Sequence, residues 1–197
     1  MKLQYASIDS YHTLEYQSFY NKLNSSEKTK VDKLLTNQNK RLCLLVRILF
    51  NKLLLENYSL NYFCLKYWYN PYGKPLCHEL FFNFSHSNKY GICAISNKPI
   101  GVDIEYIRKV DLSVISYFCT TKEQEFILHS KNKYKTLFTY FCLKEAYFKM
   151  IGTGIKDFKS LEFVIQKNRV LCSNQTLNIK LIHKIPNYVI AVIESKN

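Results

Sequence analysis

The sequence predicts an α+β chain built from two related lobes, and three observations lead to this prediction. Segments with helical patterning and segments with strand patterning both occur along the chain. The length of 197 residues suits one large domain or two lobes of about 100 residues each. The apolar segment 90–98 also resembles segment 188–196, at an offset of 188 − 90 = 98 residues. We therefore expect lobes at residues 1–99 and 100–197 with a ligand cleft between them.

The first half is expected to contain two helices followed by a strand. The cap residues Ser25 or Ser26 predict a helix that begins near Glu27, and Asn39 predicts a second helix through residues 40–56. Prolines and a glycine then predict a turn-rich connector over residues 67–75. Alternating side chains predict a strand over residues 81–87, with Phe and His on one face and Asn and Ser on the other.

The second half is expected to begin with a strand and to contain one long aromatic helix. The apolar runs 90–96 and 100–107, separated by turn residues, predict a hairpin. Thr120 or Thr121 is a suitable cap for a short helix, and the long helix is expected from about Lys135 to Ile151. The remaining residues alternate as strands do, with Lys167 and Asn168 as a hairpin turn.

The composition excludes several classes of protein. A hydrophobic fraction of 47% is sufficient for a buried core, and only 5 Gly and 4 Pro exclude collagen-like or low-complexity chains. The most apolar stretch, residues 42–50, is short and contains Arg47, so no membrane span is expected. The N-terminal sequence lacks the apolar run of a signal peptide, and the 7 cysteines fit buried thiols of a cytoplasmic protein. The net charge of +13 suits a nucleic acid, an anionic membrane, or an acidic protein together with a phosphate-bearing ligand.

Two carboxylates in the strand at 100–107 are the first candidate site. Asp103 and Glu105 are two residues apart and therefore project from one face, whereas Val102 and Ile104 face a core. Two acids this close repel each other unless a cation lies between them, and Mg²⁺ prefers such oxygen ligands. Taken alone, an Asp-x-Glu pattern is more typical of solvated acids on an exposed edge strand.

A third carboxylate lies in the long aromatic helix. Glu145 and Lys149 are four residues apart and thus neighbours on one face of a helix that is apolar nearly all round. A charged residue in a buried helix requires partners, which a metal ion beside Glu145 and phosphate oxygens beside Lys149 would supply. Gly152 and Gly154 follow the helix and would let the backbone approach a ligand closely.

Several basic and polar residues form a candidate anion site. Lys74 lies in a rigid turn, and Ser85 and His86 close the strand at 81–87. Lys28 and Arg47 add positive charge on the first two helices. The competing interpretation of His86 is a structural role. The competing interpretation of the helix lysines is that they lie on a solvated face. Arg47 is embedded in apolar sequence and is expected to have an anionic or carboxylate partner.

The ordered strings GKP, FNFSHS, GVDIE and LKEAYFKMIGTG resemble the surfactin-type 4'-phosphopantetheinyl transferases. The resemblance extends over most of the chain and implies two lobes related by a pseudo-twofold axis, each a small antiparallel sheet with a long packed helix. It also implies an enzyme that transfers 4'-phosphopantetheine from coenzyme A to a serine of an apo carrier protein, releasing 3',5'-bisphosphoadenosine. The chain departs from the usual pattern at Phe141 and Cys142, where Trp and Ser are common.

The resemblance also implies a role for each candidate residue. Mg²⁺ would be held by Asp103, Glu105 and Glu145, and Glu145 would also act as the base. Coenzyme A would be contacted by Lys28, Arg47, Lys74, Ser85, His86 and Lys149, with Lys149 on its phosphates and Arg47 as an approximate match.

The expected partner is an acidic acyl or peptidyl carrier protein of fatty-acid, polyketide or nonribosomal-peptide synthesis. The chain is expected to act as a monomer, without nucleic acid or membrane. Two alternatives stay open at this point: a basic nucleic-acid-binding module and a catalytically inactive carrier-binding relative.

Overall fold

The computed structural model describes residues 1–154, 157–166 and 169–196. Its strands are β1 (Lys2–Ser7), β2 (Tyr67–Tyr69), β3 (Pro75–Cys77), β4 (Phe81–Ser87), β5 (Tyr90–Ser96), β6 (Ile100–Tyr106), β7 (Phe163–Gln166), β8 (Arg169–Cys172), β9 (Leu177–Ile182) and β10 (Tyr188–Ser195). Its α-helices are α1 (Thr13–Lys22), α2 (Ser25–Asp32), α3 (Asn37–Tyr58), α4 (Ile115–Phe118), α5 (Thr121–His129) and α6 (Lys133–Ile151).

Six of the strands form two antiparallel three-stranded sheets with the same internal order, and the pairs β2-β3 and β7-β8 form two-stranded sheets. The first sheet has the order β1-β5-β4 and the second has the order β6-β10-β9. In each sheet the first strand in sequence therefore pairs with the last one. Each sheet carries one long helix, α3 on the first and α6 on the second. These features confirm the predicted α+β fold of two similar units. The boundary between residues 99 and 100 stays a proposal, which the membership of the two sheets supports.

Local capping explains where the helices begin and end. Asn24, not Ser25 or Ser26, caps α2, because its side chain accepts from Glu27 N. Thr36 caps α3, three residues before the predicted cap Asn39. The predicted cap Thr120 begins α5 and forms a capping box with Glu123. At the end of α6, Gly152 adopts the left-handed conformation with φ 72°, as the sequence predicted for a helix end there.

The predicted hairpin of the segments 90–96 and 100–107 is wrong. Both segments are strands, but β5 pairs with β1 and β4, whereas β6 pairs with β10. The hairpin partner of β5 is β4, and Asn88 turns between them with φ 51°. The strands β7 and β8 pair as predicted. The turn predicted at residues 167 and 168 lies outside the described residues.

The apolar residues form three cores, one under each long helix and one between the two sheets. Residues separated by the offset of 98 touch each other along β5 and β10, as expected for strands beside a pseudo-twofold axis. The rings of Tyr90 and Tyr188 lie 4.9 Å apart between centroids, and Ser96 Oγ donates to Glu194. None of the helices in the described part of the chain has the length and hydrophobicity needed to cross a membrane.

Candidate functional site

Side chains of β4, rather than a backbone ladder, join the first sheet to β6 of the second. Asn83 Oδ1 accepts from Val102 N at 3.0 Å, and Ser85 Oγ donates to Asp103 Oδ1 at 2.7 Å. Further along, Ser87 Oγ donates to Glu105 Oε2 at 3.0 Å. The alternation predicted for this strand is therefore confirmed. Its consequence is that β4 supplies hydrogen-bond donors to both carboxylates of β6.

A glycine allows α6 to lie directly on β6. A Cβ atom at Gly101 would lie 1.9 Å from Ala146 O and 2.4 Å from Met150 N, which are backbone atoms of α6. Only a residue without a side chain permits this contact. The contact sets α6, which carries Glu145 and Lys149, on the same sheet face as Asp103 and Glu105.

Asp103 is the most buried of the three candidate carboxylates, and its two oxygens differ. Its Oδ1 accepts from Lys149 Nζ at 2.6 Å as well as from Ser85 Oγ, and Lys149 Nζ also lies 2.9 Å from Ser85 Oγ. Its Oδ2 is buried and has no hydrogen-bond partner among the described residues. A buried carboxylate oxygen without a partner is costly, so this position favours a cation or a donor from a ligand.

The other two carboxylates are held in an environment that disfavours their charged form. Burial and the neighbouring Asp103 raise the pKa of Glu105 to about 7. Burial and Asp103 likewise raise the pKa of Glu145, although Lys149 opposes the shift. Burial, the largest single influence, lowers the pKa of Lys149, but the hydrogen bond and charge of Asp103 together with the charge of Glu145 outweigh it, so the pKa is raised. An additional positive charge among these carboxylates would therefore favour their ionised form.

The fit of these residues to a divalent cation is good in chemistry but incomplete in arrangement. The donor set is all carboxylate oxygen, as hard cations require, and Asp103 Oδ2 is available. Within the described ranges, however, no three His, Cys, Asp or Glu side chains already form a metal-binding cluster. Lys149 instead provides the positive charge next to Asp103.

A cleft of about 400 Å³ opens beside this group. Its charged lining residues come from both halves of the chain. They are Arg47, Lys74, Glu145 and Lys149. Aromatic side chains form much of the remaining wall, namely Tyr69, Tyr72, Phe84 and Phe148. The cleft therefore combines cations, carboxylate and flat apolar surface.

Arg47 has the carboxylate partner that the sequence predicted. Its Nε lies 3.6 Å from Glu27 Oε1, and both side chains are buried. Tyr62 and Tyr67 also donate their hydroxyl groups to Glu27. The Arg47 Nε atom makes no hydrogen bond to any described residue. The Arg47 Nη1 atom donates to Cys43 O at 2.8 Å and to Cys43 Sγ at 2.9 Å. Arg47 is thus held by its own half of the chain while it also lines the cleft.

Lys74, in the connector between β2 and β3, also lines the cleft. Its Nζ donates to Met150 O near the end of α6. Burial lowers the pKa of Lys74 to about 8. An ammonium group in this environment gains from an anion that replaces part of its lost hydration. The predicted role of Lys74 in binding phosphate stays a prediction, which this position supports.

The other two predicted anion ligands, His86 and Lys28, are less directly connected to the cleft. His86 shares a face of β4 with Phe84 but is exposed. Partial desolvation by the surrounding protein and the charge of Lys149 lower its pKa. Lys28 is on α2, where its Nζ donates to Asn21 O at 3.0 Å, and it is not among the residues that line the cleft. Lys30 is closer to the cleft, with its Nζ 3.3 Å from the ring centroid of Tyr69.

Sequence reasoning missed the residues that the connector contributes to the cleft. Tyr69 and Tyr72 line the cleft, and Asn70 joins the same segment to the end of α6, whereas the sequence predicts only a turn-rich connector there. Their participation depends on contacts with α6, about 80 residues away in sequence. The concentration of tyrosines around a Gly-Lys-Pro turn is the one local signal that could have indicated them.

Residues 99–193 match the family model of the 4'-phosphopantetheinyl transferase superfamily. Over 91 residues the chain is 41% identical to the 4'-phosphopantetheinyl transferase gsp of Aneurinibacillus migulanus, covering 44% of this chain and 38% of that protein. It is 35% identical over 112 residues to HetI of Nostoc sp., covering 51% and 47%. It is 26% identical over 146 residues to Sfp of Bacillus subtilis, covering 72% and 65%.

A solved structure also aligns, that of holo-[acyl-carrier-protein] synthase from Thermotoga maritima, with a TM-score of 0.44 and 20% identity over 50% of this chain and 63% of that one. The matches span between 38% and 65% of the length of the three named transferases. The family model and these relatives confirm the resemblance to surfactin-type 4'-phosphopantetheinyl transferases that the motifs indicated.

Proposed function

We propose that the chain transfers 4'-phosphopantetheine from coenzyme A to a serine hydroxyl of an apo carrier protein. One observation carries this proposal. A single cleft contains Arg47 and Lys74 from the first half and Glu145 and Lys149 from the second, next to the unpartnered oxygen of Asp103. Cations suited to phosphates and carboxylates suited to a metal ion are what a phosphoryl-type transfer requires. The names of the relatives support the same reaction.

The basic residues would bind and orient coenzyme A. Arg47 and Lys74 of the first half and Lys149 of the second half all line the cleft, so phosphate groups in it would be contacted from both halves. Tyr69 and Tyr72 offer flat surfaces of the kind on which a nucleotide base stacks. Ser85 and His86 are proposed as further contacts, with Ser85 orienting Lys149 through its hydrogen bond.

We propose that Asp103, Glu105 and Glu145 hold Mg²⁺ together with phosphate oxygens of the substrate. The bound ion would neutralise charge that develops on the pyrophosphate. The residues themselves favour such an ion, because Asp103 Oδ2 is buried with no hydrogen-bond partner among the described residues and burial raises the pKa of both glutamates. Ser85 and Ser87 hold the two carboxylates of β6 in position.

Glu145 is the proposed base. The serine oxygen would attack the pyrophosphate phosphorus next to the pantetheine arm, while its proton passes to Glu145 directly or through water. The bond from that phosphorus to the bridging oxygen would break, and 3',5'-bisphosphoadenosine would leave. A carboxylate whose pKa is raised by burial accepts a proton more readily than a solvated one.

The proposed partner is an acidic acyl or peptidyl carrier protein. Its negative charge would complement the net charge of +13 of this chain. A monomeric state and a cytoplasmic location also stay predictions. The nucleic-acid-binding alternative is less well supported, because most of the described Phe and Tyr rings of α3, α6 and β4 contribute to the cores. The inactive relative is less well supported because the carboxylates are retained beside the cleft.

Mass spectrometry of apo carrier proteins incubated with coenzyme A, Mg²⁺ and the protein tests the proposal. The expected result is a mass gain of one phosphopantetheine that EDTA prevents. Glu145→Gln is expected to slow the transfer about a hundredfold or more, because it removes the base and a metal ligand. Asp103→Ala is expected to abolish it.

Glu125→Gln is the matched control, because Glu125 is an exposed glutamate on α5, away from the cleft lining. It should label carriers at the wild-type rate. Thermal unfolding of each variant separates a lost site from a lost fold. Unchanged labelling by folded Glu145→Gln would contradict the proposed site, and salt-dependent binding of random oligonucleotides without labelling would favour the nucleic-acid alternative.

A further inference from the structure

The end of α6 is held by two side chains from the other half of the chain. The last carbonyl groups of any α-helix lack partners within the helix. Here Met150 O accepts from Lys74 Nζ, and Gly152 O accepts from Asn70 Nδ2 at 2.6 Å. Both donors belong to the turn at residues 70–74, which connects β2 and β3.

From these contacts we infer that Asn70 is a positioning residue for Glu145 and Lys149. Its side-chain amide joins the 70–74 turn to the end of the helix that carries both groups. The inference rests on the proposed function, because these are the groups proposed to act on coenzyme A and the acceptor serine. Neither atom of the Asn70 amide needs to touch the substrate for this role.

The two ends of the Asn70 amide have separate tasks. Its Oδ1 accepts from Tyr72 N at 3.0 Å and from Lys74 N at 2.9 Å, which fixes the turn. Its Nδ2 donates to Gly152 O and so fixes the turn to α6. An aspartate at this position would keep the acceptor but lose the donor, and its charge would repel the carbonyl oxygen of Gly152.

The turn at residues 70–74 and the end of α6 are closely packed. A Cβ atom at Gly152 would lie 2.6 Å from Lys74 Cδ, and one at Gly154 would lie 3.0 Å from the ring of Tyr72. Lys149 is within one helical turn of Gly152, and Glu145 is two turns away. A loosened helix end would therefore shift Lys149 relative to Asp103 and open the wall that Tyr72 forms.

Asn70→Asp and Asn61→Asp form a matched pair for the test. Asn61 Oδ1 also accepts from a backbone N–H two residues on, Phe63 N at 2.9 Å, but none of its described contacts reaches α6. Both variants gain the same charge and keep the same local acceptor. Asn70→Ala is a third variant, which removes the donor without adding a charge.

Hydrogen exchange followed by mass spectrometry is the first measurement, because it does not depend on activity. Exchange in peptides covering residues 148–154 should be about tenfold faster in Asn70→Asp and faster in Asn70→Ala, but unchanged in Asn61→Asp. Steady-state transfer from coenzyme A is the second measurement. Asn70→Asp should lower kcat and raise KM for coenzyme A, reducing kcat/KM about tenfold, while Asn61→Asp keeps both.

The two measurements separate the possible failures. If exchange at residues 148–154 is the same in all variants, the link to α6 is wrong. If exchange increases but kcat and KM stay at the wild-type values, Asn70 is not a positioning residue. If the wild-type protein labels no carrier, the proposed function fails, while the exchange data still test the link. Circular dichroism identifies any variant that does not fold, and Asn70→Ala then replaces Asn70→Asp in both measurements.

Discussion

The two halves of the molecule contain the same buried ion pair, but they use it differently. In each half, the third residue of a short helix is a buried glutamate that pairs with the long helix. Glu27 of α2 lies 3.6 Å from Arg47 Nε of α3, and Glu123 of α5 lies 2.8 Å from Lys144 Nζ of α6. Both glutamates are almost fully buried, with 6% and 1% exposure.

The difference lies in how completely each cation is satisfied. Lys144 is fully buried and also donates to Phe158 O at 2.8 Å and Leu161 O at 2.7 Å. Arg47 lines the cleft, and its Nε makes no hydrogen bond within the described part of the chain. Arg47 also donates from Nη1 to Cys43 O and Cys43 Sγ. We propose that the pair of the second half serves structure alone, whereas Arg47 also serves ligand recognition, because Arg47 lines the cleft and Lys144 does not.

Removing the two cations should give the largest contrast. Lys144→Met leaves Glu123 buried without its charged partner and should lower the free energy of unfolding by about 3–5 kcal/mol. Arg47→Met leaves Glu27 with the hydroxyl groups of Tyr62 and Tyr67 and should cost about 1–2 kcal/mol. Chemical denaturation measures both values.

The double variant Glu123→Gln with Lys144→Met serves as the control, because it removes the uncompensated charge and should recover part of the lost stability. Coenzyme A affinity should fall about tenfold in Arg47→Met and stay unchanged in folded Lys144→Met. Equal losses of stability in the two single variants would contradict the assignment of different roles.

A pair of glycines gives the second contrast. Gly101→Ala would place a Cβ 1.9 Å from the backbone oxygen of Ala146, so α6 must move off β6. We expect a loss of about 3 kcal/mol, together with loss of transfer activity. Gly91→Ala in the first half meets the side-chain ends of Val46 at 2.9 Å and Leu45 at 3.1 Å, which can shift, so it should cost about 1 kcal/mol. Thermal and chemical unfolding would overturn this comparison if Gly91→Ala were the more destabilising variant.

The smallest expected effect is the pH dependence that Lys74 gives to stability and to coenzyme A binding. The folded pKa of Lys74 is about 8 and its ordinary value is 10.5, so the folded chain releases this proton first as the pH rises. Stability should therefore increase between pH 8 and 10.5, while the affinity for coenzyme A falls about fivefold above pH 8. Lys74→Arg keeps its charge and should remove the fall in affinity. Calorimetric titration at pH 7 and 9 checks this, and a wild-type affinity that is the same at both values would refute it.

Local patterns in the sequence were sufficient for the elements and for the chemistry of single residues. Strand alternation predicted that Asp103 and Glu105 share a face, and the apolar surroundings of Arg47 predicted its carboxylate partner, which is Glu27. The offset of 98 residues predicted two related lobes, since it compares the chain with itself, and the two three-stranded sheets have the same strand order.

Contacts between distant segments could not be predicted in this way. The local turn between β5 and β6 resembled a hairpin, but β6 pairs with β10, about 85 residues later, because burial of both strand faces outweighs the local turn. The same limit explains Asn70, whose partner Gly152 is 82 residues away, and Lys28, whose position depends on how α2 packs.

The central proposal is that Arg47 and Lys74 of the first half bind phosphates of coenzyme A together with Lys149, whereas the carboxylates of the second half alone hold the metal ion. Calorimetric titration of coenzyme A with and without Mg²⁺ tests it directly in wild type, Arg47→Met and Glu145→Gln. Arg47→Met should weaken binding by the same factor in both conditions. Glu145→Gln should bind coenzyme A undiminished without Mg²⁺ but lose the increase in affinity that Mg²⁺ gives the wild type. A Glu145→Gln variant that keeps the full Mg²⁺ effect, or an Arg47→Met variant that binds as tightly as wild type, would contradict the claim.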